Sequence, residues 1–290
     1  MKKIGFVGLG NMGFKMASNL LENGHKVFGY DIDEKLTDDL GEKGLIKVKT
    51  LEDFSNNMDI IITMLPDGNI VEDVLKAILQ VIKNNPILID CSTIDVNKSK
   101  SLYNLCLAKS INFLDAPVSG GTKGAEQSTL TFMVGGNIEI YKQIIPVLKA
   151  MGSKIVYCGE SGSGQATKLC NNMLLAITMI GVSESLSLAK NLNLNLNTLF
   201  DVLSTATGSC WAINNYYPVK DIGPASPADN DFEPGFSASL MSKDLKLALN
   251  AARDSKTSTK LGEMAEKLYS KMANGENKNK DFSAIIKEAK

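Results

Sequence analysis

The sequence contains few of the residues that catalytic triads and metal sites need. Histidine occurs once, at position 25, and the five cysteines are widely spaced, with no CxxC pair. A Ser-His-Asp or Cys-His mechanism and a structural zinc site therefore have almost no support. We expect no metal ion, and an odd set of free thiols fits a reducing compartment best.

The chain also lacks an excess of charge of one sign and long apolar runs. Its 290 residues carry 31 Lys+Arg against 32 Asp+Glu, which argues against a nucleic-acid binder that works by neutralising phosphates. The longest apolar candidate, 173–180, falls short of the roughly 18 residues of a membrane helix. The start, MKKIGFVG, resembles neither a signal-peptide core nor a mitochondrial leader. We expect a soluble cytoplasmic protein with no membrane partner; the alternative is a mitochondrial matrix protein whose leader has been removed.

Short β-branched runs alternate with helical stretches from residue 4 to about residue 158. Several runs are continuously apolar, which is typical of strands buried on both faces of a parallel sheet. We therefore predict a doubly wound α/β domain of the Rossmann type. The predicted strands are 4–7, 26–30, 59–64, 87–90, 112–114, 131–134 and 155–157.

The rest of the chain has a helical pattern. One long helix is predicted after the GESGSG segment (159–164), and apolar residues then recur at helical spacing. A proline-containing stretch, 216–235, is predicted to be irregular. The expected division is a dinucleotide-binding domain at 1–163, an interdomain helix at 164–192 and an all-α domain at 193–290. The apolar surface of the long helix at 174–188 suggests a homo-oligomer.

The strongest local signal is GLGNMG, residues 8–13, which directly follows the first predicted strand and precedes a helix. Glycines at these positions permit a tight turn, close approach of the backbone to a pyrophosphate, and close packing of helix and strand. The alternative is a purely structural glycine turn. The candidate cofactor-binding residues here are Gly8, Gly10, Asn11, Met12 and Gly13.

Asp31 ends the second predicted strand and indicates which dinucleotide binds. A carboxylate there accepts hydrogen bonds from the ribose hydroxyls and repels a 2′-phosphate, which favours NAD. Ile32 follows, where an arginine would be usual for NADP. Two alternatives stay open: Asp31 caps a helix that begins near Asp33, or Lys35 allows some use of NADP.

Three further segments follow predicted strands, where ligands bind in open α/β sheets. They are Met64-Leu65-Pro66, Cys91-Ser92-Thr93 and 115–121 (DAPVSGG). The last combines hydroxyls, backbone N–H groups and glycines, which suits a carboxylate, although a plain turn explains it equally well.

Lys168 and Asn172 lie four residues apart and so share one face of the long helix. A lysine near a helix N-terminus, on a face otherwise apolar, has a route to a lowered pKa, as a proton-transferring lysine needs. A surface lysine that snorkels is the alternative. Lys243 begins another helical stretch, 241–252, where spacing alone predicts a solvated face.

Taken together, these motifs resemble the 3-hydroxyisobutyrate dehydrogenases within the β-hydroxyacid dehydrogenase group. The matching segments span the chain: FVGLGNMGFKMASNL (6–20), TMLP (63–66), DCST (90–93), DAPVSGGTKGA (115–125), GSGQATKLCNNMLLA (162–176) and LMSKDLKLA (240–248). Residues 209–236 resemble the valine-degrading members in particular. One departure is Ser128, where the family often has glycine.

The resemblance implies a role for each matching position. Lys168 would be the catalytic acid/base and Asn172 would orient substrate and lysine, while Ser119 and Gly120 would hold the substrate carboxylate. The resemblance further assigns the cofactor positions Leu65, Pro66, Thr93 and Lys243.

It also implies a C-terminal domain like that of 6-phosphogluconate dehydrogenase and a homodimer or homotetramer. The expected reaction is the NAD-dependent oxidation of 3-hydroxyisobutyrate to methylmalonate semialdehyde. The alternatives are a relative acting on another small hydroxy acid or semialdehyde, and a non-catalytic dinucleotide-binding module.

Overall fold

The computed structural model describes residues 1–55 and 58–288 and divides the chain into two compact units, Met1–Lys168 and Leu169–Lys290. We call them the N-terminal and the C-terminal unit. The finer division expected from the sequence, with boundaries at 163 and 192, stays a prediction.

The N-terminal unit is built on one mixed sheet. Its strands are β1 (Lys3–Val7), β2 (Lys26–Tyr30), β3 (Ile46–Lys47), β4 (Ile60–Thr63), β5 (Ile87–Asp90), β6 (Phe113–Asp115), β7 (Val118–Ser119), β8 (Leu130–Gly135) and β9 (Gly152–Gly159). The order is β3-β2-β1-β4-β5-β6-β8-β7, and β9 pairs with β8. The first six strands are parallel, in the order of a dinucleotide-binding sheet.

Helices connect these strands. They are α1 (Gly13–Glu22), α2 (Glu34–Gly41), α3 (Gly68–Val81), α4 (Val96–Leu107), α5 (Gly121–Glu126) and α6 (Ile138–Leu148), with a 3₁₀ turn at Leu51–Ser55. Alternate residues of the strands enter different cores: Ile60 and Ile62 join the core that includes α1, whereas Ile61 joins the core that includes α3 and α4. Both faces of the sheet are therefore covered, which explains why the strands are continuously apolar.

The structure differs from the sequence-based expectation in two details of the sheet. Strands β3 and β7 have two residues each, too few for a periodic signal. Strand β8 runs antiparallel to β6 and β7, so the sheet is parallel only in part. The doubly wound α/β class is nevertheless confirmed.

The regular elements of the C-terminal unit, among its described residues, are helices and 3₁₀ turns. Its elements are α7 (Ser163–Asn191), which begins in the N-terminal unit, α8 (Leu196–Thr205), α9 (Trp211–Tyr216), α10 (Ala238–Asp254), α11 (Lys260–Ala273) and 3₁₀ turns at Pro227–Asn230 and Phe282–Lys287. Its core includes Met179, Leu186, Tyr217, Leu245 and Tyr269.

The proline-containing stretch after α9 has only the short 3₁₀ turn as regular structure, and a buried carboxylate holds it in place. Asp281 Oδ2 accepts hydrogen bonds from the Tyr216 hydroxyl at 2.9 Å and from the Gly235 and Phe236 N–H groups at 3.1 Å. Burial raises the pKa of Asp281. Asp281 thus ties the two ends of the stretch together, while the Asp221 and Ser226 N–H groups within it donate to Asp229, each at 2.8 Å.

Among the described residues, α7 is long and apolar enough to cross a membrane by length and composition. The expectation that no stretch is apolar enough for a membrane helix is wrong in that respect. Polar residues interrupt the continuous apolar run, but the mean hydropathy over 18 residues of α7 stays high. The core helices of soluble proteins pass the same test. Gln165, Lys168, Asn172 and Ser183 are buried polar residues along α7, which weighs against a span facing lipid.

Candidate active site

One edge of the N-terminal unit collects most of the predicted site residues. Because β1, β2, β4 and β5 are parallel, their carboxyl ends meet at the same edge. The glycine turn follows β1, Asp31 follows β2, Leu65 follows β4, and Thr93 follows β5.

The three glycines of the turn differ in what surrounds them. Gly8 has φ of 92°, and a Cβ there would lie 2.3 Å from the Met64 carbonyl oxygen. A Cβ at Gly13 would lie 1.9 Å from the Gly8 carbonyl oxygen. A Cβ at Gly10 would meet no protein atom within 4 Å. Gly8 and Gly13 thus allow the turn to close, whereas Gly10 leaves bare backbone at the surface, where a pyrophosphate needs close approach.

The N-terminus of α1 is suited to an anion. Its N-cap residue, Met12, makes no side-chain hydrogen bond to the helix. The caps of α3 and α4 are Asp67 and Asp95, and each accepts two backbone N–H bonds. A carboxylate in that position would compete with a phosphate. The absence of one leaves the dipole of α1 available to an anion, although the Phe14 N–H of the first turn already donates to the Gly10 carbonyl at 3.0 Å. The residues present therefore fit a dinucleotide.

Asp31 is held by two backbone donors. Its Oδ2 accepts a hydrogen bond from the Leu9 N–H at 2.5 Å, and its Oδ1 accepts one from the Asp33 N–H at 2.9 Å. The N-cap of α2 is Asp33, whose side chain accepts from the Lys35 N–H. Capping therefore belongs to Asp33, and Asp31 instead joins the end of β2 to the glycine turn.

Hydrogen bonds also link the segments after β4 and β5. The Leu65 N–H donates to Ser92 Oγ at 2.9 Å. The Leu65 side chain is half-buried and lies beside Gly8, since a Cβ on Gly8 would come within 2.9 Å of Leu65 Cδ2. Pro66 is exposed and Thr93 half-buried. These residues thus form one surface with the glycine turn.

Ser119 and Gly120 lie at the junction of β7 and α5. Ser119 pairs with Thr131 of β8, and Gly120 has φ of 133°. Gly121, the first residue of α5, has φ of 63°. Glycine adopts positive φ without steric cost, and it leaves the backbone N–H groups of this loop without side chains of their own over them, which suits an anion.

The start of α7 lies against the ends of β5 and β6. Asp115, the last residue of β6, accepts hydrogen bonds from the Gly162 and Gln165 N–H groups at 2.8 and 2.9 Å. The Gln165 side chain donates to the Ser92 carbonyl at 2.7 Å and accepts from the Ile94 N–H at 3.1 Å. Sequence spacing predicts a role for neither side chain; their position within two motifs, DAPVSGG and GSGQATK, is the signal that marks them.

Lys168 is buried, 8% exposed, one turn after this anchored start. Asn172 lies one further turn along α7 and is 2% exposed. A snorkelling lysine keeps its charged end in water, so burial to this degree weighs against that alternative. The two residues fall on either side of the boundary between the units.

Within the C-terminal unit, Asn172 is joined to α10. Its Nδ2 donates to Asp244 Oδ2 at 2.6 Å, and the neighbouring Lys243 Nζ lies 3.8 Å from Asp244 Oδ1. Lys243 is half-buried rather than on a solvated face. Sequence spacing gave no indication of Asp244, because its partner is 72 residues away in the chain.

Asp90 is a buried carboxylate that ends β5, and it pairs with Asp115 across the sheet. Asp90 Oδ1 accepts from the Thr63 hydroxyl at 2.8 Å and from the Ser92 N–H at 3.1 Å. Its Oδ2 is buried without a hydrogen-bond partner. Burial raises the pKa of Asp90 to about 6, against the lowering effect of these donors.

Metal ligands are scarce in the part of the chain that the structure describes. Within residues 1–55 and 58–288, no group of three His, Cys, Asp or Glu side chains could hold a metal ion. All five cysteines are free thiols, and Cys91 and Cys106 are buried.

Two family models together match nearly the whole chain. Residues 3–159 match the NAD binding domain of 6-phosphogluconate dehydrogenase. Residues 162–289 match the family described as NAD-binding of NADP-dependent 3-hydroxyisobutyrate dehydrogenase.

Relatives of similar length agree with these models. The mitochondrial 3-hydroxyisobutyrate dehydrogenase of Drosophila melanogaster is 46% identical over 98% of this chain and 88% of its own. The 3-hydroxyisobutyrate dehydrogenase of Pseudomonas aeruginosa is 40% identical over 99% of this chain and 98% of its own. The solved structure of Mycobacterium tuberculosis 3-hydroxyisobutyrate dehydrogenase with L-serine has a TM-score of 0.95 and 41% identity, and the match covers 99% of both chains.

A dinucleotide-binding sheet followed by a helical unit, with these matches, defines an NAD-binding oxidoreductase that acts on CH–OH groups. The resemblance found in the sequence motifs is confirmed. The chain belongs to the 3-hydroxyisobutyrate dehydrogenase family.

Proposed function

We propose that this protein oxidises 3-hydroxyisobutyrate to methylmalonate semialdehyde, a step of valine degradation, with Lys168 as the acid/base. The observation that carries the proposal is the buried Lys168 on α7, one turn after a helix start anchored at the carboxyl ends of β5 and β6. Ligands bind at this edge in sheets of this kind.

The cofactor would be held by the glycine turn, the uncapped start of α1, and Asp31. We propose Leu65, Pro66, Thr93 and Lys243 as further cofactor contacts, together with Asn11 and Met12 of the turn. When bound, NAD accepts the hydride from the alcohol carbon. The chain's own residues bind it, orient it, and manage the proton.

Lys168 would take the hydroxyl proton during oxidation and return it during reduction. A fixed position for the Lys168 Nζ matters because proton transfer needs a distance of about 3 Å between Nζ and the substrate hydroxyl oxygen. Asn172, held by Asp244, would orient the lysine and the substrate hydroxyl through its amide.

Ser119 and Gly120 would bind the substrate carboxylate with a hydroxyl and backbone N–H groups. Binding the carboxylate fixes the distance to the reacting carbon, and such orientation supplies much of the rate of a bound reaction. The M. tuberculosis relative was solved with L-serine, which is itself a small acid with a hydroxyl on its β-carbon, so a ligand of this class supports the proposal.

We propose a preference for NAD over NADP. Three carboxylates, Asp31, Asp33 and Glu34, follow the end of β2 within four residues, where they would repel a 2′-phosphate. Lys47 is paired with Glu34 and Asp38 at 3.0 and 2.7 Å. Asp31→Ala should reduce the ratio of kcat/KM for NAD to that for NADP, with Asp39→Ala, exposed on α2, as its matched control. An unchanged ratio would contradict the role of Asp31.

We propose that the chain forms a homodimer or homotetramer. Several large apolar side chains of the C-terminal unit are more than half exposed: Leu174, Leu188, Val202, Trp211, Leu261 and Met264. Apolar surface of this extent commonly marks an interface between subunits. Light scattering of the purified protein should give at least twice the mass of one chain.

We also propose a cytoplasmic location, where five free thiols stay reduced.

The test is NADH formation by the purified protein with 3-hydroxyisobutyrate and NAD, with Lys168→Ala in parallel. We expect turnover that falls at least a hundredfold in the folded variant, about the scale of general acid–base catalysis. Lys190→Ala, near the far end of α7, is the control and should keep its turnover. NAD binding without turnover would favour another hydroxy acid or a non-catalytic module, and an active Lys168→Ala would exclude the lysine.

A further inference from the structure

The beginning of α7 is fixed along its axis by Asp115. Both oxygens of this buried carboxylate accept backbone N–H groups of the first turn, from Gly162 at 2.8 Å and Gln165 at 2.9 Å. These amides have no partner within the helix, and a negative charge at this end is favoured by the helix dipole. The contact therefore determines where α7 starts relative to β6.

Two glycines make this approach possible. A Cβ at Gly135 of β8 would lie 2.6 Å from Asp115 Oδ1. A Cβ at Gly164 of α7 would lie 2.3 Å from the Met133 carbonyl oxygen and 2.8 Å from Asp115 Oδ2. The helix backbone thus packs directly on the sheet edge, and little space is left for it to shift.

The rotation of α7 about its axis is fixed by Gln165. This side chain is 0% exposed, and its amide is used at both ends: Nε2 donates to the Ser92 carbonyl, and Oε1 accepts from the Ile94 N–H. Both partners lie in the short segment between β5 and α4. A side chain that bonds both a donor and an acceptor in one loop restricts the rotation of the helix from which it projects.

We propose that Gln165 is a positioning residue for Lys168: it holds the rotation of α7 so that the lysine Nζ stays within reach of the substrate hydroxyl. The inference rests on the proposed function, because it assumes that Lys168 transfers the proton. Lys168 lies one turn after Gln165 on the same rigid helix. With side chains reaching about 6 Å from the axis, a rotation of about 20° would move the lysine by about 2 Å, and an error of about 1 Å already costs up to about a hundredfold in rate.

The distinguishing variant is Gln165→Glu. An ionised carboxylate still accepts from the Ile94 N–H, but it places an oxygen against the Ser92 carbonyl. A protonated carboxyl donates one hydrogen bond and accepts another, and so reproduces both bonds of the glutamine. The variant should therefore be positioned correctly at low pH and lose that position as pH rises. Gln165→Met, which can make neither bond, should be impaired at every pH.

Three charged groups lie near this position. Asp115 bonds to the Gln165 N–H, Asp90 bonds to the Ser92 N–H, and Lys168 follows on the same helix. The two carboxylates and burial favour the neutral form of an introduced acid, whereas the lysine charge opposes it. An introduced carboxylate would also shift the titration of these three groups, so the kcat ratio is read together with the hydrogen exchange of 162–168, which does not depend on the protonation of Lys168.

We expect kcat of Gln165→Glu, divided by that of the unaltered protein, to fall at least about tenfold between about pH 6 and about pH 9. The KM for NAD should change less than about twofold, because the glycine turn and Asp31 are not involved. Asn84→Asp is the matched control. Asn84 donates a comparable hydrogen bond, to the Met58 carbonyl at 2.6 Å, but it lies just before β5, at the opposite edge of the sheet, and its kcat ratio should be flat.

A second readout needs neither cofactor nor substrate. In the NAD-free protein, hydrogen exchange of the amides at 162–168 should accelerate in Gln165→Glu at high pH, beyond the intrinsic pH effect seen in the unaltered protein, and return at low pH. Asn84→Asp should leave the exchange of this segment unchanged.

The outcomes separate the inference from the proposed function. A flat kcat ratio for Gln165→Glu, or the same fall in Asn84→Asp, would overturn the positioning role even if Lys168→Ala is inactive. Unaltered hydrogen exchange at 162–168 would overturn it as well. An active Lys168→Ala would remove the proposed chemistry of the lysine, and the positioning role with it.

Discussion

The Asn172 side-chain amide is held at both ends: its Nδ2 donates to Asp244 Oδ2 at 2.6 Å, and its Oδ1 accepts from Asn171 Nδ2 at 3.0 Å. Asp244 is 2% exposed, so this is a charge-assisted bond shielded from water. The amide nitrogen has two hydrogens, and the second is directed by the first. Asp244 therefore determines how Asn172 presents its remaining donor.

Asp244→Asn should lower kcat/KM for the hydroxy acid about tenfold, because the neutral acceptor binds the Asn172 amide less strongly and permits it to turn. Steady-state kinetics with circular dichroism as a check of folding would measure this. Glu263→Gln, an exposed carboxylate on α11, is the control for a lost negative charge in the same unit. Unchanged kcat/KM in folded Asp244→Asn would contradict a role in orienting Asn172.

A substitution in the glycine turn should weaken NAD binding without lowering the stability of the protein. Gly10→Ala adds a methyl group that meets no protein atom within 4 Å, and alanine has the less flexible unfolded state, so the melting temperature of the NAD-free protein should not fall. The Kd for NAD should rise at least about tenfold, because the methyl group occupies the approach of the pyrophosphate. Calorimetric titration and thermal melting measure the two quantities.

Two other glycines are the controls for this substitution. Gly13→Ala would place a Cβ 1.9 Å from the Gly8 carbonyl oxygen, so it should lower the melting temperature as well. Gly41→Ala, also with open space around it, should likewise not lower the melting temperature and should leave the Kd for NAD unchanged. Equal NAD affinity in Gly10→Ala and Gly41→Ala would show that the cofactor does not approach this backbone.

Much of the N-terminal unit could be predicted because its strands are buried on both faces. A run such as that of β4 is continuously apolar, and the glycine turn after β1 has a local sequence signature. The antiparallel direction of β8 could not be predicted, since burial alone leaves strand direction undetermined. The two-residue strands β3 and β7 are too short to give a pattern.

The site was predictable only where a residue type has a local meaning. Asp31 could be proposed from its distance after the glycine turn. Asp115, Gln165 and Asp244 could not, because each acts through a hydrogen bond to a residue that is remote in the chain, 50 to 73 positions away. Such contacts leave no periodic or spacing signal in a single sequence.

Ser128 stands where the resembling sequences often have glycine, and its backbone conformation gives a prediction about stability. Its φ is 55°, in the left-handed region, which costs a non-glycine residue about 1–2 kcal/mol. Glycine removes this strain but loses about 0.5–1 kcal/mol through its more flexible unfolded state. Ser128→Gly should therefore raise the melting temperature by about 1–3 °C. Ser128→Ala keeps the strain and should give no increase; an equal increase in both would refute the backbone explanation.

Asp90 makes stability depend on pH in a direction opposite to that of a paired surface carboxylate. Burial raises its pKa from 3.8 to about 6, so between these values the folded state keeps a proton that the unfolded state loses. The stabilisation present below about pH 4 is therefore lost as pH rises through about 6. A shift of about two units corresponds to at most about 3 kcal/mol.

Asp90→Asn removes this titration, because an amide stays neutral at every pH. The free energy of unfolding of the variant minus that of the unaltered protein should increase by about 1–3 kcal/mol as pH is raised from about 4 to about 7. Urea denaturation at a series of pH values would measure the difference. Ser101→Ala, a neutral substitution on the exposed face of α4, should show a constant difference over the same range. A constant difference for Asp90→Asn too would mean that the Thr63 and Ser92 donors keep this carboxylate ionised despite its burial.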